Sequence, residues 1–240
     1  MSGGTIAMVP GRIGSTRLPV KNLALLGGRP LMTYAIEAAR AAKVFDRVVV
    51  NGDHPVFGEI AAQAGAEFYL RPAALGSSET RSDDVVHDFM LKHPSEIVAW
   101  VNPTSPFQTG EEIRAVVDHF RAEGLDSLIT VKDERFHGLL AGKPLNFDPE
   151  TPFARTQDLV PIQIFVYSVM MWRTRTFLEA VRARGYALLS GKIGYFPVGK
   201  LSAIVIKTVA DLRVAEAVLR AMRGAGLEVQ YEARAGGLSG

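Results

Sequence analysis

The feature that most constrains this chain is a rhythm. Between residues 6 and 131, short apolar runs alternate with segments of helical period. Residues 6–9 (Ile-Ala-Met-Val) form an apolar run that breaks at Pro10-Gly11, which reads as a buried strand entering a loop. Tyr34, Ala35, Ala38 and Ala42 then fall at helical spacing over residues 32–42. The same reasoning predicts strands at 48–50, 67–70, 97–101 and 127–131, and helices at 56–64, 82–92 and 110–123. Strands that alternate with helices imply parallel pairing and helices on both sheet faces. The expected fold is therefore three-layer α/β/α with a mostly parallel sheet.

The rhythm breaks after Lys132. Residues 136–161 contain Gly138, Gly142, Pro144, Pro149, Pro152 and Pro161, which suits an inserted arm or hairpin and not a second domain. The pattern resumes with strands expected at 164–171 and 203–206 and helices at 174–183 and 209–222. No repeat or linker divides the chain, so 1–240 reads as one domain, and 240 residues can bury a full core. The net charge of +2 gives no nucleic-acid footprint. Cysteine is absent, which excludes a disulfide framework and thiolate metal sites and suits the cytoplasm. Residues 1–5 lack signal-peptide features, and no apolar run approaches the ~20 residues of a membrane span. The Gly-rich end, 236–240, reads as a frayed tail.

The chemistry concentrates in Pro10-Gly-Arg-Ile-Gly-Ser-Thr-Arg-Leu-Pro-Val-Lys-Asn22, directly after the first strand. Gly11 and Gly14 permit tight turns that expose backbone N–H groups, and Arg12, Arg17 and Lys21 add positive charge. Such a loop at the carboxyl end of a strand could cradle a triphosphate; a basic solvated loop would have the same composition. Neither a GxxxxGK[ST] loop nor a GxGxxG fingerprint is present. The five histidines are scattered without metal-ligand spacing and read as structural or surface residues.

This stretch resembles the N-terminal signature P-A-R-x-G-S-K-R-[IL]-P-x-K-N of the CMP-sialic acid and CMP-Kdo synthetases. Arg12, Gly14, Ser15, Arg17, Leu18, Pro19, Lys21 and Asn22 match, while Gly11 and Thr16 depart. Further resemblances follow in order at Gly28-Arg-Pro-Leu31, Asp46-Arg-Val-Val-Val50, Arg71-Pro-Ala-Ala-Leu75, Pro103-Thr-Ser-Pro106 and Arg155-Thr-Gln-Asp-Leu-Val-Pro161. The Asn102-Pro-Thr-Ser-Pro stretch is closer to the sialic-acid branch than to the Kdo branch.

The resemblance implies attack of a sugar-acid hydroxyl on the α-phosphate of CTP, with release of pyrophosphate. It implies Lys21 at the α-phosphate and Arg12 at the β- and γ-phosphates, with Gly14, Ser15, Arg17 and Asn22 completing the cradle and Arg71 at the cytidine end. On the sugar side it implies Asn102, where the sialic-acid enzymes carry glutamine, with Arg155 and Gln157 as further candidates for the acidic group. A surface loop is the other reading of residues 155 and 157. Tyr167 falls where the family builds a strand near the sugar and the subunit interface, although aromatics there also suit a core. Asp53 stands at a strand end where the family often has aspartate, or it caps the next helix. A homodimer reached through residues 136–161 is also implied.

One departure matters. The family reads I-D-[IV]-D-T-x-x-D-L where this chain reads Ile204-Val-Ile-Lys-Thr-Val-Ala-Asp-Leu212, so Val205 and Lys207 replace the aspartates that bind Mg²⁺. The cofactor implied by the resemblance is Mg²⁺, yet valine cannot ligate it and lysine repels it. Three readings follow. Lys207 supplies charge in an active cytidylyltransferase; or the chain binds nucleotide as an impaired pseudoenzyme; or it is an enzyme that uses Kdo or another acidic acceptor.

Overall fold

β1 (Thr5–Gly11) is buried along its whole length, as expected of a strand with apolar residues on both faces. Its residues divide by the two-residue period of a strand. Ala7 and Val9 join Met32, Ile36, Phe57, Ile113 and Phe120 on one side, while Ile6 and Met8 join Val86, Phe89, Trp172 and Phe177 on the other. β1 is thus the middle of a three-layer molecule. The computed structural model describes residues 3–224; Met1, Ser2 and 225–240, including the glycine-rich end, lie outside the described residues.

After β1 come the signature loop, a small hairpin of β2 (Leu25–Leu26) and β3 (Arg29–Pro30), and α1 (Leu31–Ala42). β4 (Arg47–Gly52), α2 (Val56–Gln63), β5 (Glu67–Leu70), α3 (Ser82–Lys92), β6 (Ile97–Val101), α4 (Gly110–Ala122) and β7 (Ser127–Glu134) follow. The alternation read from the sequence holds over this whole stretch, with ends differing by at most three residues. α4 begins at a Thr109 cap whose hydroxyl accepts from the Glu112 N–H. At its first residue, Gly110, a Cβ would lie 2.7 Å from the Ala41 backbone, so glycine lets α1 and α4 approach closely.

The arm follows. β8 (Leu139–Leu140) and β9 (Lys143–Pro144) pair through Ala141 and Gly142, which both have positive φ, as a two-residue hairpin turn demands. Asn146 closes the arm's base, donating to the Phe136 and Val160 carbonyls at 2.9 Å each and accepting from the Gly138 N–H. β10 (Ile162–Arg173), α5 (Thr174–Arg184), β11 (Ile193–Pro197) and α6 (Val209–Arg223) complete the described chain.

The seven-stranded sheet runs β11-β7-β10-β6-β1-β4-β5. β1 pairs in parallel with β4 and β6, β4 with β5 and β7 with β11, but β10 is antiparallel to both β6 and β7. The mostly parallel sheet expected from the sequence rhythm is present; β10 is its antiparallel member because it follows the arm, not a crossover helix, and so returns in the opposite direction. Residues 203–206 form no strand. Their apolar character comes from packing: Ile204 and Ile206 join Leu18, Leu26, Leu31 and Leu219 in a third cluster, and the Ile206 N–H donates to the Thr104 carbonyl. The seventh strand is instead β11, whose half-exposed pattern with Gly194 and a final proline gave no strand signal in the sequence.

Candidate functional site

The chain passes from β1 to β4 and β5 on one side, then crosses to β6 on the other. β1 and β6 therefore flank a switch point, where open α/β sheets leave a crevice beyond the strands' carboxyl ends. A cavity of about 400 Å³ opens there. Its floor is the end of β1 and the segment after β6, with Pro10, Gly11, Trp100, Asn102 and Thr104. One wall is the signature loop, with Arg12, Ser15, Arg17, Lys21 and Asn22. The opposite wall runs from Arg71 to Val85 through Leu75, Ser77, Thr80 and Ser82. Among the described residues, the indole N–H of Trp100 has no hydrogen-bond partner.

The loop is shaped by contacts with its surroundings. Gly11 ends β1 against Phe57; a Cβ there would sit 3.0 Å from the ring, which accounts for glycine where the resembled signature has alanine. Val20 adopts a left-handed φ of 47° and turns the chain into a short 3₁₀ helix, Lys21–Leu23. Asn22 is buried and its amide reaches back to the Arg12 carbonyl at 3.5 Å, while its Oδ1 has no partner among the described residues. Gly14 lies outside the cavity wall, and a Cβ there would meet only the Gly76 carbonyl at 3.8 Å.

Charge in the cleft is strongly positive. Burial, together with the nearby charges of Arg17, Arg12 and Lys207, pushes the Lys21 ammonium below its usual range, with Asp211 opposing. An anion bound between these cations would relieve that repulsion. Lys207 itself is exposed and absent from the cavity wall, although its charge reaches Lys21.

The opposite wall is anchored by Arg71, only 4% exposed. Its Nη1 donates to the Asn51 carbonyl at 3.0 Å, and its Nη2 faces the Asp53 carboxylate at 3.6 Å. Burial lowers its pKa, and Asp53 partly restores it. Asp53 does not cap α2, whose N-cap is Pro55 without a side-chain bond. Instead its Oδ1 accepts the Ile13 N–H at 3.1 Å.

The sugar-side candidates separate. Asn102 lines the cavity, but its amide is engaged internally: Oδ1 accepts from the Thr104 N–H and hydroxyl, and Nδ2 donates to the Tyr167 carbonyl at 3.1 Å. Tyr167 sits at a register break in β10 with φ 56°, half exposed and beside the cleft floor but not lining it. Arg155 and Gln157 stand on the arm outside the cavity, and Arg155 is paired with Asp158 at 2.7 Å. Beyond the sequence reading, the structure adds Trp100, Thr104 and the hydroxyls of Ser77, Thr80 and Ser82. The hydroxyl-rich run 77–82 was visible in the sequence, but nothing local tied it to the loop.

The residues present do not fit a protein-held Mg²⁺. Among the described residues no group of three or more His, Cys, Asp or Glu could hold a metal ion. Asp211 Oδ2 is taken by the Lys207 N–H, the Thr208 N–H and the Thr208 hydroxyl at 2.8–2.9 Å. Those bonds, that from the Lys207 N–H foremost, hold its carboxyl below the usual range and complete a capping box at the start of α6.

The cytidylyltransferase family profile matches residues 6–139. Over 109 residues the chain is 38% identical to an N-acylneuraminate cytidylyltransferase of Escherichia coli O18:K1:H7, covering 45% of this chain and 26% of that protein. Over 128 residues it is 35% identical to a CMP-N,N'-diacetyllegionaminic acid synthase of Legionella pneumophila, covering 50% and 54%. Over 127 residues it is 36% identical to a 3-deoxy-manno-octulosonate cytidylyltransferase of Synechococcus elongatus, covering 52% and 50%. The chain thus spans between about a quarter and a half of the length of these relatives. In fold it is similar to a CMP:2-keto-3-deoxy-manno-octonic acid synthetase solved with CTP, with TM-score 0.67 at 16% identity, covering 91% of this chain and 99% of that one. A 4-diphosphocytidyl-2C-methyl-D-erythritol synthase of Anaerococcus prevotii gives TM-score 0.65 at 14% identity, again covering 91% and 99%.

Proposed function

We propose that this chain, which belongs to the cytidylyltransferase family, joins CMP from CTP to an acidic sugar of the sialic-acid type. The observation that carries the reading is the cluster of Arg12, Arg17 and Lys21 around one crevice at the switch point of the sheet. In the reaction, a sugar hydroxyl oxygen forms a bond to the α-phosphorus, the bond from that phosphorus to the bridging oxygen breaks, and pyrophosphate leaves. The hydroxyl proton passes to water. Charge builds on the phosphoryl oxygens, so fixed cations are the main catalytic help available. Lys21 serves the α-phosphate as a compact point charge, and Arg12 suits the leaving β- and γ-phosphates because its fork can bind two oxygens. Ser15 and Arg17 complete the cradle, and Gly14 lies beside it in the loop. Arg71 and Asn22 face the nucleoside end, and Asn102, held by the Tyr167 carbonyl, lies on the floor at the sugar side.

The relatives act, by their names, on acylneuraminate, diacetyllegionaminic acid and 3-deoxy-manno-octulosonate, so a nine-carbon acidic sugar or Kdo is the acceptor class. Any Mg²⁺ would arrive with CTP and not on carboxylates of the described residues. We also propose a cytoplasmic homodimer joined through residues 136–161, which would carry Arg155 and Gln157 with the arm. The exposed Phe153, Leu140 and Phe136 of that arm support the dimer.

The test is pyrophosphate release from CTP with N-acetylneuraminate, diacetyllegionaminate and Kdo, with and without Mg²⁺. Release with at least one acid is expected. The poor fit for a metal favours a second reading, a nucleotide binder without turnover, which predicts CTP binding and no release with any acid. Absence of both binding and release would overturn the first reading and the second together.

A further inference from the structure

The two walls of the cleft are separate in sequence, 12–22 and 71–85, and where they face the cavity they are loops, the 3₁₀ turns Lys21–Leu23 and Ala73–Gly76, and the start of α3. Two contacts tie them together. On the rim, Arg12 Nη1 approaches the Ser77 carbonyl at 3.4 Å, a long and exposed bond. Beneath it lies a buried clasp centred on Asp53. One carboxylate oxygen accepts the Ile13 N–H at 3.1 Å, and the other faces the Arg71 guanidinium at 3.6 Å, with these side chains 8% and 3% exposed. Arg71 is fixed in turn by its own N–H on the Gly52 carbonyl at 2.9 Å and by Nη1 on the Asn51 carbonyl. The clasp also explains Gly76: a Cβ there would meet Asp53 Oδ2 at 2.9 Å, and no positive φ calls for glycine at this position.

We propose that Asp53 is a positioning residue that sets the spacing of the two cleft walls, holding the cation loop from Ile13 and the nucleoside wall from Arg71. It touches no substrate. It holds the backbone immediately after Arg12, and so governs where that guanidinium and Lys21 stand relative to Arg71. A charge-assisted bond to a backbone N–H in a buried site suits this task, because it is stronger than a neutral one. Removing the carboxylate would leave buried Arg71 without its main counter-charge and the Ile13 N–H without an acceptor.

This inference rests on the proposed nucleotide site, so its test uses two anions. Inorganic triphosphate probes the cation loop alone, and CTP probes both walls. Asp53→Ala should weaken CTP by about tenfold or more and triphosphate by less, a factor typical of losing one bond to a charged group. Asp53→Asn, which keeps an acceptor for Ile13, should recover most of the triphosphate affinity but not the CTP affinity. Amide hydrogen exchange at Ile13, measured without ligand, should quicken in Asp53→Ala. If Asp53→Ala does not fold, Gly76→Ala displaces the same carboxylate and should show the same ordering of affinities. Unchanged affinity for both anions in a folded Asp53→Ala or Gly76→Ala protein would overturn the proposal, and so would equal losses for the two anions. If the wild type binds triphosphate but not CTP, the cytidylyltransferase reading fails, while the triphosphate and exchange results still decide whether Asp53 positions the loop.

Discussion

Two stretches of this chain are irregular and rich in glycine or proline, and they are held in opposite ways. The loop at 10–22 is pinned at several points. Leu18 enters a buried cluster with Leu26, Leu31 and Leu219, Asn22 reaches back to Arg12, and Ile13 hangs from Asp53. What it presents to the cleft is charge. The arm at 136–161 is closed at its base by Asn146 and stacks His137 on Phe153, but most of its large apolar side chains remain in water. Phe153 is 78% exposed and Leu140 67%. A fixed loop presenting cations is ready for a polyanion, whereas a tethered arm presenting Phe and Leu is ready for an apolar partner. In the proposed reading, the contrast separates recognition of substrate from assembly.

The largest expected effect tests the fixed loop. Lys21→Ala and Arg12→Ala should each weaken CTP by about 1.5–3 kcal/mol, the worth of a charge-assisted contact, and leave the melting temperature nearly unchanged. Calorimetric titration checks this, and equal affinity in both variants would remove the cradle from the argument. pH sharpens it. Because the Lys21 ammonium is held below its usual pKa, it loses its proton at a lower pH than an ordinary lysine does. CTP affinity of the free protein should therefore decline as the pH rises through that lowered pKa. Lys21→Arg keeps its charge there, so its affinity should stay flat over the same range. Parallel profiles would show that Lys21 does not meet the phosphate.

The arm is expected to respond in assembly and not in stability. Leu140→Glu with Phe153→Glu places two charges on its exposed apolar face. Such surface changes ordinarily shift stability by within about 0.5 kcal/mol, yet they should convert a dimer to a monomer by light scattering. A wild-type protein that is already monomeric at working concentration, or a double variant that remains dimeric, would break the contrast drawn above.

These two regions also differ in how far the sequence reveals them. The loop's glycines and cations are spaced within thirteen residues, so its character is local and readable. The arm's prolines and glycines foretold an irregular insertion, and the hairpin at 139–144 matches that. What stayed hidden was tertiary. Asp53, Ile13, Arg71 and Gly76 meet only because β1, β4 and β5 lie side by side, and no spacing announces such a meeting. β10 read as a strand, but its direction depends on how the arm returns. Residues 203–206 misled because burial against Thr104 and α6 makes a segment as apolar as pairing in a sheet does. Asn102 carried an amide suited to a ligand, and the structure shows that amide already bonded to Thr104 and Tyr167.

The smallest expected effect concerns Lys207, which belongs to neither region and links α6 to the cradle. Its ammonium is exposed, yet its charge reaches Lys21. Its own N–H helps secure Asp211 in the α6 cap, so that carboxylate is committed to structure. If Lys207 supplies positive charge to the triphosphate from the rim, it does so through solvent. Its contribution should then be no more than about 1 kcal/mol, the scale of exposed charge pairs, or roughly fivefold in turnover. Such a term is screened when the Debye length shrinks to a few ångströms. Lys207→Ala should therefore slow pyrophosphate release severalfold at low ionic strength and hardly at all near 1 M salt. Val205→Asp with Lys207→Asp should act oppositely, making activity depend more strongly on Mg²⁺, because two carboxylates offer the hard oxygen ligands that the described residues lack. A Lys207→Ala protein that matches the wild type at low salt would show that the lysine merely faces water. Retained turnover in that variant would leave Arg12, Arg17 and Lys21 as the cleft's own charge on the phosphates.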